Sequence, residues 1–135
     1  MPQRDNYLLI SNTCDDPWSQ VLERVLSPLG SFQICKEKDI LRFTLRQFCL
    51  IIIDAASVSD VPRLISRILA QAPNIKVIVA TATPTWKQAR EVFYAGATDY
   101  VRKLPNEYEI LSVLKTALNL TPASKTGDEK GRSNE

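Results

Sequence analysis

The sequence predicts a doubly wound α/β domain in which five helices cover a five-stranded parallel sheet. Short apolar runs of strand length alternate with segments of helical periodicity over about 120 residues, which is the pattern of such folds. One of these runs, residues 49–53, is apolar at every position, as expected for a strand that is covered on both faces. Short connections with right-handed crossovers make a sheet of this kind parallel.

The first strand and the first helix are predicted from "YLLI", residues 7–10, and from "DPWSQVLERVLSPLG", residues 16–30. Asp16 can cap the helix and Pro17 suits its first turn, while Pro28 and Gly30 are expected to end it. The inward face of this helix is predicted to carry Trp18, Val21, Leu22, Val25 and Leu29.

The middle of the chain predicts two strands and two helices. A weaker second strand, "FQIC", precedes a short helix candidate, "DILRFTLRQ", and "FCLIII" is the most apolar strand of the chain. A third helix follows in "SVSDVPRLISRILAQAP", where Pro73 is expected to stop it. Its apolar residues at helical spacing are Leu64, Ile65, Ile68 and Leu69.

The last part of the chain predicts two more strands and two more helices. "IKVIVATA" is the fourth strand, and in the following "TPTWKQAREVFYAG" Thr83 is the expected cap, Pro84 the first turn and Gly96 the residue past the end. "DYVRK" is the fifth strand, and "NEYEILSVLKTALNL" is a final helix with Asn106 and Glu109 at capping-box spacing. Trp86, Ala89 and Phe93 are predicted to share one face of the fourth helix, and Trp86 and Tyr94 are expected to be partly exposed.

One domain is predicted over residues 1–120, because the chain has the size and apolar content of a single ordinary core. Residues 121–135, "TPASKTGDEKGRSNE", have no periodicity and almost nothing to bury. We therefore expect them to form a polar, disordered tail or linker.

Composition and charge exclude several classes of function. A net charge of +2, from 17 basic and 15 acidic side chains, favours neither nucleic-acid nor membrane binding. No apolar stretch approaches the roughly 20 residues of a membrane-spanning helix. The 3 cysteines are odd in number and lack paired spacing, so a disulfide framework and a zinc site are both disfavoured and a reducing cytoplasm is expected. Histidine is absent, which removes His-based triads and His metal sites.

Sites of parallel α/β sheets gather at the carboxyl ends of strands, where Asp54, Thr81 and Lys103 are predicted to follow strands three, four and five. The stretch from Ser11 to Asp16 falls at the same end of strand one. A carboxylate nucleophile at Asp54 could accept a phosphoryl group as an acyl phosphate. Lys103 would offset the charge that spreads over the phosphoryl oxygens, and Thr81 would donate a hydroxyl hydrogen bond. Taken singly, each residue also has an ordinary structural explanation, as a turn-former, a surface lysine or a strand threonine. Their joint placement is what favours a site.

The strand-end Asp54, followed by "VIVATA" and "AGATDYVRK", resembles the receiver domain of two-component response regulators over most of residues 6–120. The resemblance implies a flavodoxin-like, CheY-like fold and a signalling module that is not an enzyme. It implies that Asp54 is the phosphoacceptor, that Thr81 and Lys103 contact the phosphoryl group, and that Thr81 and Tyr100 form the switch.

The same resemblance implies a set of partners. A histidine kinase or phosphotransfer protein would supply the phosphoryl group, and a downstream protein or effector domain would receive the signal. The surface remodelled by the switch would comprise the fourth helix, the fifth strand and the fifth helix, and the same surface would serve a homodimer.

The resemblance also implies a Mg²⁺ cofactor, held by Asp54 and by two adjacent acids that directly follow strand one. Here "LLIS" is followed directly by Asn12 and Thr13, neither of which carries a charge. Reading back from Pro17 instead supplies Asp15 as the metal ligand, and Asn12 and Asp16 are weaker candidates. The lysine motif departs as well, since "KLP" replaces Lys-Pro.

Three interpretations therefore stay open. The first is a receiver that is phosphorylated on Asp54 and signals through protein contacts. The second is a degenerate pseudo-receiver, a protein-interaction module that works without phosphate. The third is a small flavodoxin-like enzyme or nucleotide binder, which is disfavoured because the chain has 4 glycines and neither a G-x-G-x-x-G motif nor a P-loop.

Overall fold

The structure, a computed structural model, describes residues 5–13, 17–103 and 106–118. Its centre is a five-stranded, all-parallel sheet with the strand order β2-β1-β3-β4-β5. The strands are β1 (Asp5–Ile10), β2 (Gly30–Cys35), β3 (Leu50–Asp54), β4 (Lys76–Thr81) and β5 (Asp99–Arg102). The predicted fold class is confirmed.

Within the described residues, three α-helices and a pair of 3₁₀ helices connect the strands, and a fourth α-helix follows β5. The α-helices are α1 (Pro17–Leu26), α2 (Val61–Gln71), α3 (Trp86–Ala95) and α4 (Glu107–Leu118). The predicted second helix takes the form of the two 3₁₀ helices, Glu37–Arg42 and Leu45–Gln47. Phe43 and Thr44 between them have extended backbones, and the Phe43 ring packs edge-on against Phe48 at 5.9 Å between centroids. Packing of this aromatic pair accompanies the break in the helix.

Both faces of the sheet are buried, and all five residues of β3 are buried. Alternate side chains enter two separate apolar clusters, one under α2 and one under α1 and α4. The first includes Ile51, Ile53, Leu64, Ile65 and Ile68, and the second includes Leu9, Ile52, Leu22, Leu26, Ile110 and Leu114. Each such fully buried aliphatic side chain contributes about 1.5–3 kcal/mol to the free energy of unfolding.

Helix ends agree with the sequence in part. Pro17 is the first residue of α1, Gly96 caps α3 with φ 115°, and the Asn106 side chain accepts hydrogen bonds from the backbone N–H groups of Tyr108 and Glu109. The prediction that Thr83 caps α3 is wrong. Thr85 caps this helix, because its hydroxyl accepts from the Gln88 N–H at 3.1 Å.

Two predicted apolar helix faces are only partly buried. Trp86, which was expected to be partly exposed, is 84% exposed and Phe93 is 48% exposed, because α3 turns Val92 toward the core and leaves Ala89 half-buried. The first helix ends at Leu26, so Leu29 lies beyond it with 42% exposure and Gly30 begins β2 instead of ending the helix.

None of the described helices is long and apolar enough to cross a membrane. The predicted tail, residues 121–135, the predicted cap Asp16 and the predicted metal ligand Asp15 lie outside the described residues.

Candidate functional site

Asp54 ends β3 and is 2% exposed. Its Oδ1 atom pairs with Lys103 Nζ at 2.7 Å and accepts from the Ala56 N–H at 3.3 Å. Its Oδ2 atom accepts from the Ser11 hydroxyl at 3.0 Å. A buried carboxylate is costly unless it is paired and hydrogen-bonded, and each oxygen of Asp54 has at least one such partner.

Lys103 follows β5, and its backbone N–H donates to the Thr81 carbonyl at 2.8 Å. This bond anchors the lysine backbone to β4, so its side chain starts from the carboxyl edge of the sheet. The side chain is 13% exposed, and Nζ lies 5.1 Å from the centroid of the Trp18 ring. The Lys103 ammonium therefore lies close to both a carboxylate and an aromatic face.

Thr81 is the last residue of β4 and is 4% exposed. The register pairs Asp54 with Ala80, so Thr81 lies one residue further along the neighbouring strand, at the same edge of the sheet. Its Oγ1 accepts from the Thr83 N–H at 3.1 Å. The hydroxyl oxygen thus holds the start of the loop that leads to α3.

Tyr100 is half-buried in β5 and connects that strand to the start of α3. Its hydroxyl donates to Gln88 Oε1 at 2.8 Å and accepts from the Thr85 N–H at 3.0 Å. The sequence indicated a switch role for Tyr100 through resemblance alone. It did not indicate Thr85 or Gln88, although their three-residue spacing is that of a helix cap.

Ser57 is a site residue that the sequence did not predict, and Ser11 was predicted only as the start of the stretch after strand one, with no role at Asp54. Ser11 directly follows β1 and donates to Asp54, and Ser57 lies three residues after Asp54 with its Oγ 3.5 Å from Ser11 Oγ and 2.9 Å from the Asn12 N–H. The available signal was position, because Ser11 is the first polar residue after the apolar run of β1. The place of Ser57 depends on how its loop folds, which no local pattern reveals.

Asn12, a weaker metal candidate, is engaged in hydrogen bonds at both ends of its amide. Its Nδ2 donates to the Ser57 carbonyl at 2.7 Å and to Glu37 Oε1 at 3.4 Å, and its Oδ1 accepts from the Glu37 N–H at 2.9 Å. Asn12 thus ties the loop after β1 to the loop after β3 and to the first 3₁₀ helix.

The described residues do not fit Mg²⁺. No group of three or more His, Cys, Asp or Glu that could hold a metal occurs within residues 5–13, 17–103 and 106–118. Mg²⁺ prefers carboxylate oxygens, whereas the described residues after β1, Ser11, Asn12 and Thr13, are neutral. Asp15, like Leu104 and Pro105 of the "KLP" motif, lies outside the described part of the chain, so its role as a ligand stays a prediction.

Comparisons with known proteins agree with this fold. No protein-family model and no curated protein matches the chain. A response regulator from Thermotoga maritima superposes with a TM-score of 0.73 at 20% identity, over 87% of this chain and 100% of that one. The signal receiver domain of an HD domain-containing protein from Pseudomonas fluorescens Pf-5 gives 0.72 at 26% identity, over 86% and 95%. A response regulator receiver domain protein (CheY-like) from Methanospirillum hungatei JF-1 gives 0.69 at 19%, over 87% and 95%.

The class that the topology defines is the parallel α/β domain whose polar side chains meet at the carboxyl edge of the sheet. Within that class, the chain has the CheY-like fold of response-regulator receiver domains.

Proposed function

We propose that this chain is a receiver module of two-component signal transduction. It takes a phosphoryl group onto Asp54 from a histidine kinase or phosphotransfer protein and passes the signal on through protein contacts, in the cytoplasm and without a catalytic activity of its own. The observation that carries the proposal is the 2.7 Å pair between Asp54 and Lys103 at the carboxyl edge of a receiver fold.

The proposed chemistry is the transfer of one phosphoryl group. An Asp54 carboxylate oxygen attacks phosphorus, the bond from phosphorus to the donor nitrogen breaks, and an acyl phosphate forms. Lys103, already beside Oδ1, would then face the new phosphoryl oxygens and offset their charge. Thr81 would turn its hydroxyl from the Thr83 N–H toward the phosphoryl group, and this movement would alter the loop before α3.

The proposed signalling surface comprises α3, β5 and α4, which are the fourth helix, the fifth strand and the fifth helix of the sequence prediction. Tyr100 would relay the change at Thr81, because its hydroxyl binds the Thr85 N–H and Gln88 at the start of α3. Trp86 and Tyr94 of the same helix are 84% and 94% exposed and are available to a downstream protein, an effector domain or a second copy of this chain.

The proposal is tested with acetyl phosphate, by intact mass, in parallel samples with Mg²⁺ and with EDTA. We expect the mass of one added phosphoryl group in the wild type and none in Asp54→Asn. Asp60→Asn is the matched control, since Asp60 is an exposed acid that caps α2 and asparagine caps equally well. Modification that persists in Asp54→Asn, or that is lost in Asp60→Asn, would contradict Asp54 as the acceptor.

A second candidate is a pseudo-receiver that uses the same surface without phosphate. It is supported by the 2% exposure of Asp54 and by the neutral side chains of Ser11, which donates to Asp54, and of the next residue, Asn12. On this candidate, no small-molecule donor modifies the protein, and Asp54→Asn binds a partner as tightly as the wild type does. A clear loss of partner binding in Asp54→Asn would count against it.

A further inference from the structure

Two loops at the carboxyl edge of the sheet, one after β1 and one after β3, are joined by hydrogen bonds between Asn12 and Ser57. The Asn12 N–H donates to Ser57 Oγ at 2.9 Å, and Asn12 Nδ2 donates to the Ser57 carbonyl at 2.7 Å. Ser57 Oγ lies 3.5 Å from Ser11 Oγ, and the Ser11 hydroxyl donates to Asp54 Oδ2 at 3.0 Å. We call this set, Ser11, Asn12, Ser57 and Asp54, the loop network.

A divalent cation can join two loops by binding carboxylate and carbonyl oxygens from both. The loop network joins the two loops here through hydrogen bonds instead. Here the acceptors already receive hydrogen bonds from neutral donors: the Ser57 carbonyl from an amide nitrogen and Asp54 Oδ2 from a hydroxyl. A cation at this place would displace those donors and would face N–H and O–H groups. Mg²⁺ also gives up its water reluctantly and requires well-placed oxygens in return.

The negative charge of Asp54 also has a partner within the protein already. Lys103 Nζ lies 2.7 Å from Oδ1, and both side chains are largely shielded from water, at 13% and 3% exposure. The negative charge that a metal ion would share is therefore offset by an ammonium held in place by the Trp18 ring.

We propose that the loop network takes the structural place of the metal ion, so that the site is assembled without a divalent cation. The inference deepens the proposed function and rests on it for the role of Asp54. The competing expectation is a Mg²⁺ site at Asp54 completed by Asp15. The proposal assigns Asn12 the central part, because its side chain bridges the two loops.

The first test measures the response of the unmodified protein to Mg²⁺. We would follow Trp18 fluorescence in a Trp86→Phe background, which leaves one of the 2 tryptophans as reporter beside Lys103, and the melting temperature Tm in MgCl₂, EDTA and NaCl of equal ionic strength. The proposal expects the same fluorescence and the same Tm in all three solutions. A saturable fluorescence change, or a rise in Tm specific to MgCl₂, would overturn it, since a ligand that binds the native state stabilises it.

The second test uses two variants of Asn12. Both Asn12→Ala and Asn12→Asp remove the amide donor to the Ser57 carbonyl, so both should lower Tm in EDTA by about 4 °C or more. Only Asn12→Asp adds a carboxylate at that point, next to the Glu37 carboxylate and within the loop network that includes Asp54, so Mg²⁺ should restore the Tm of Asn12→Asp and leave that of Asn12→Ala unchanged. If Mg²⁺ does not restore the Tm of Asn12→Asp, then Asn12 does not occupy the position of a metal ion and the proposal fails.

These tests are separate from the acetyl phosphate experiment. Phosphorylation of Asp54 in both Mg²⁺ and EDTA supports the receiver function and the metal-free site together. Phosphorylation in Mg²⁺ alone supports the function and overturns the inference. With no phosphorylation at all, the receiver proposal fails, and the fluorescence and Tm measurements still decide whether the site binds metal.

Discussion

At the scale of single residues, the charge of Asp54 is the dominant physical constraint on the site. A carboxylate with 2% exposure depends on its partners, and Lys103 supplies a full positive charge at 2.7 Å. Removing one partner of such a pair is more costly than removing both, because the remaining charge is left buried and uncompensated. Each partner therefore offsets the charge of the other whether or not a phosphoryl group ever arrives.

This asymmetry predicts the behaviour of a Lys103 variant. We expect Lys103→Met to lower the free energy of unfolding by about 3 kcal/mol, and the double variant Asp54→Asn with Lys103→Met to recover a large part of that loss. Urea denaturation of the wild type, the two single variants and the double variant measures the coupling. Arg102→Met is the matched control, since Arg102 is the exposed neighbour and should change stability by less than about 0.5 kcal/mol. Equal effects at residues 102 and 103 would contradict a structural role for the pair.

The residues of the site differ in how far the sequence could predict them. Asp54, Thr81 and Lys103 each end or directly follow a strand, so the rule that strand ends meet at one edge was enough to group them. The contacts of Ser11 and Ser57 were missed because these hydrogen bonds join residues 43 and 46 positions apart, through loops without a periodic pattern. The chemical roles of all these residues stay predictions.

At the scale of elements, α3 combines polar contacts at its start with limited apolar packing. Val92 is the buried residue of this helix, while Trp86 and Phe93 face outward. Apolar spacing placed Trp86, Ala89 and Phe93 on one face, and that face is only partly buried, because an aromatic residue on a helix can serve a surface as well as a core. The Thr85 cap and the Tyr100 hydroxyl secure the first turn instead.

The contact between Tyr100 and α3 predicts a local effect. Tyr100→Phe should lower the free energy of unfolding by about 0.5–1.5 kcal/mol, since the Thr85 N–H and Gln88 Oε1 both lose a hydrogen-bond partner. Amide hydrogen exchange should become faster at Thr85 and stay the same in α2. Tyr108→Phe, at a tyrosine with 81% exposure, is the control and should change neither measurement. Unchanged exchange at Thr85 would show that this hydroxyl does not hold the start of α3.

At the scale of the whole molecule, the alternation of strands and helices was enough to predict the fold. The all-apolar run that became β3 pointed correctly to a central strand covered on both faces. The connection between β2 and β3 was harder, because "DILRFTLRQ" has helical spacing but is interrupted by extended residues at Phe43 and Thr44. The conformation of such a short segment depends on packing against the rest of the molecule, here at the Phe43–Phe48 contact.

The exposed aromatic side chains of α3 lead to a prediction about assembly. Trp86 and Tyr94 are 84% and 94% exposed on the proposed signalling surface, and aromatic residues are enriched at the centres of protein interfaces. We expect beryllofluoride, a phosphoryl analogue, to increase the dimer fraction of the wild type in sedimentation velocity. The double variant Trp86→Ser with Tyr94→Ser should stay monomeric under the same conditions. Leu41→Ser is the control, because Leu41 is 64% exposed on the first 3₁₀ helix between β2 and β3, outside that surface. This variant should dimerise as the wild type does. Loss of the dimer in Leu41→Ser, or its survival in the double variant, would place the contact elsewhere on the molecule.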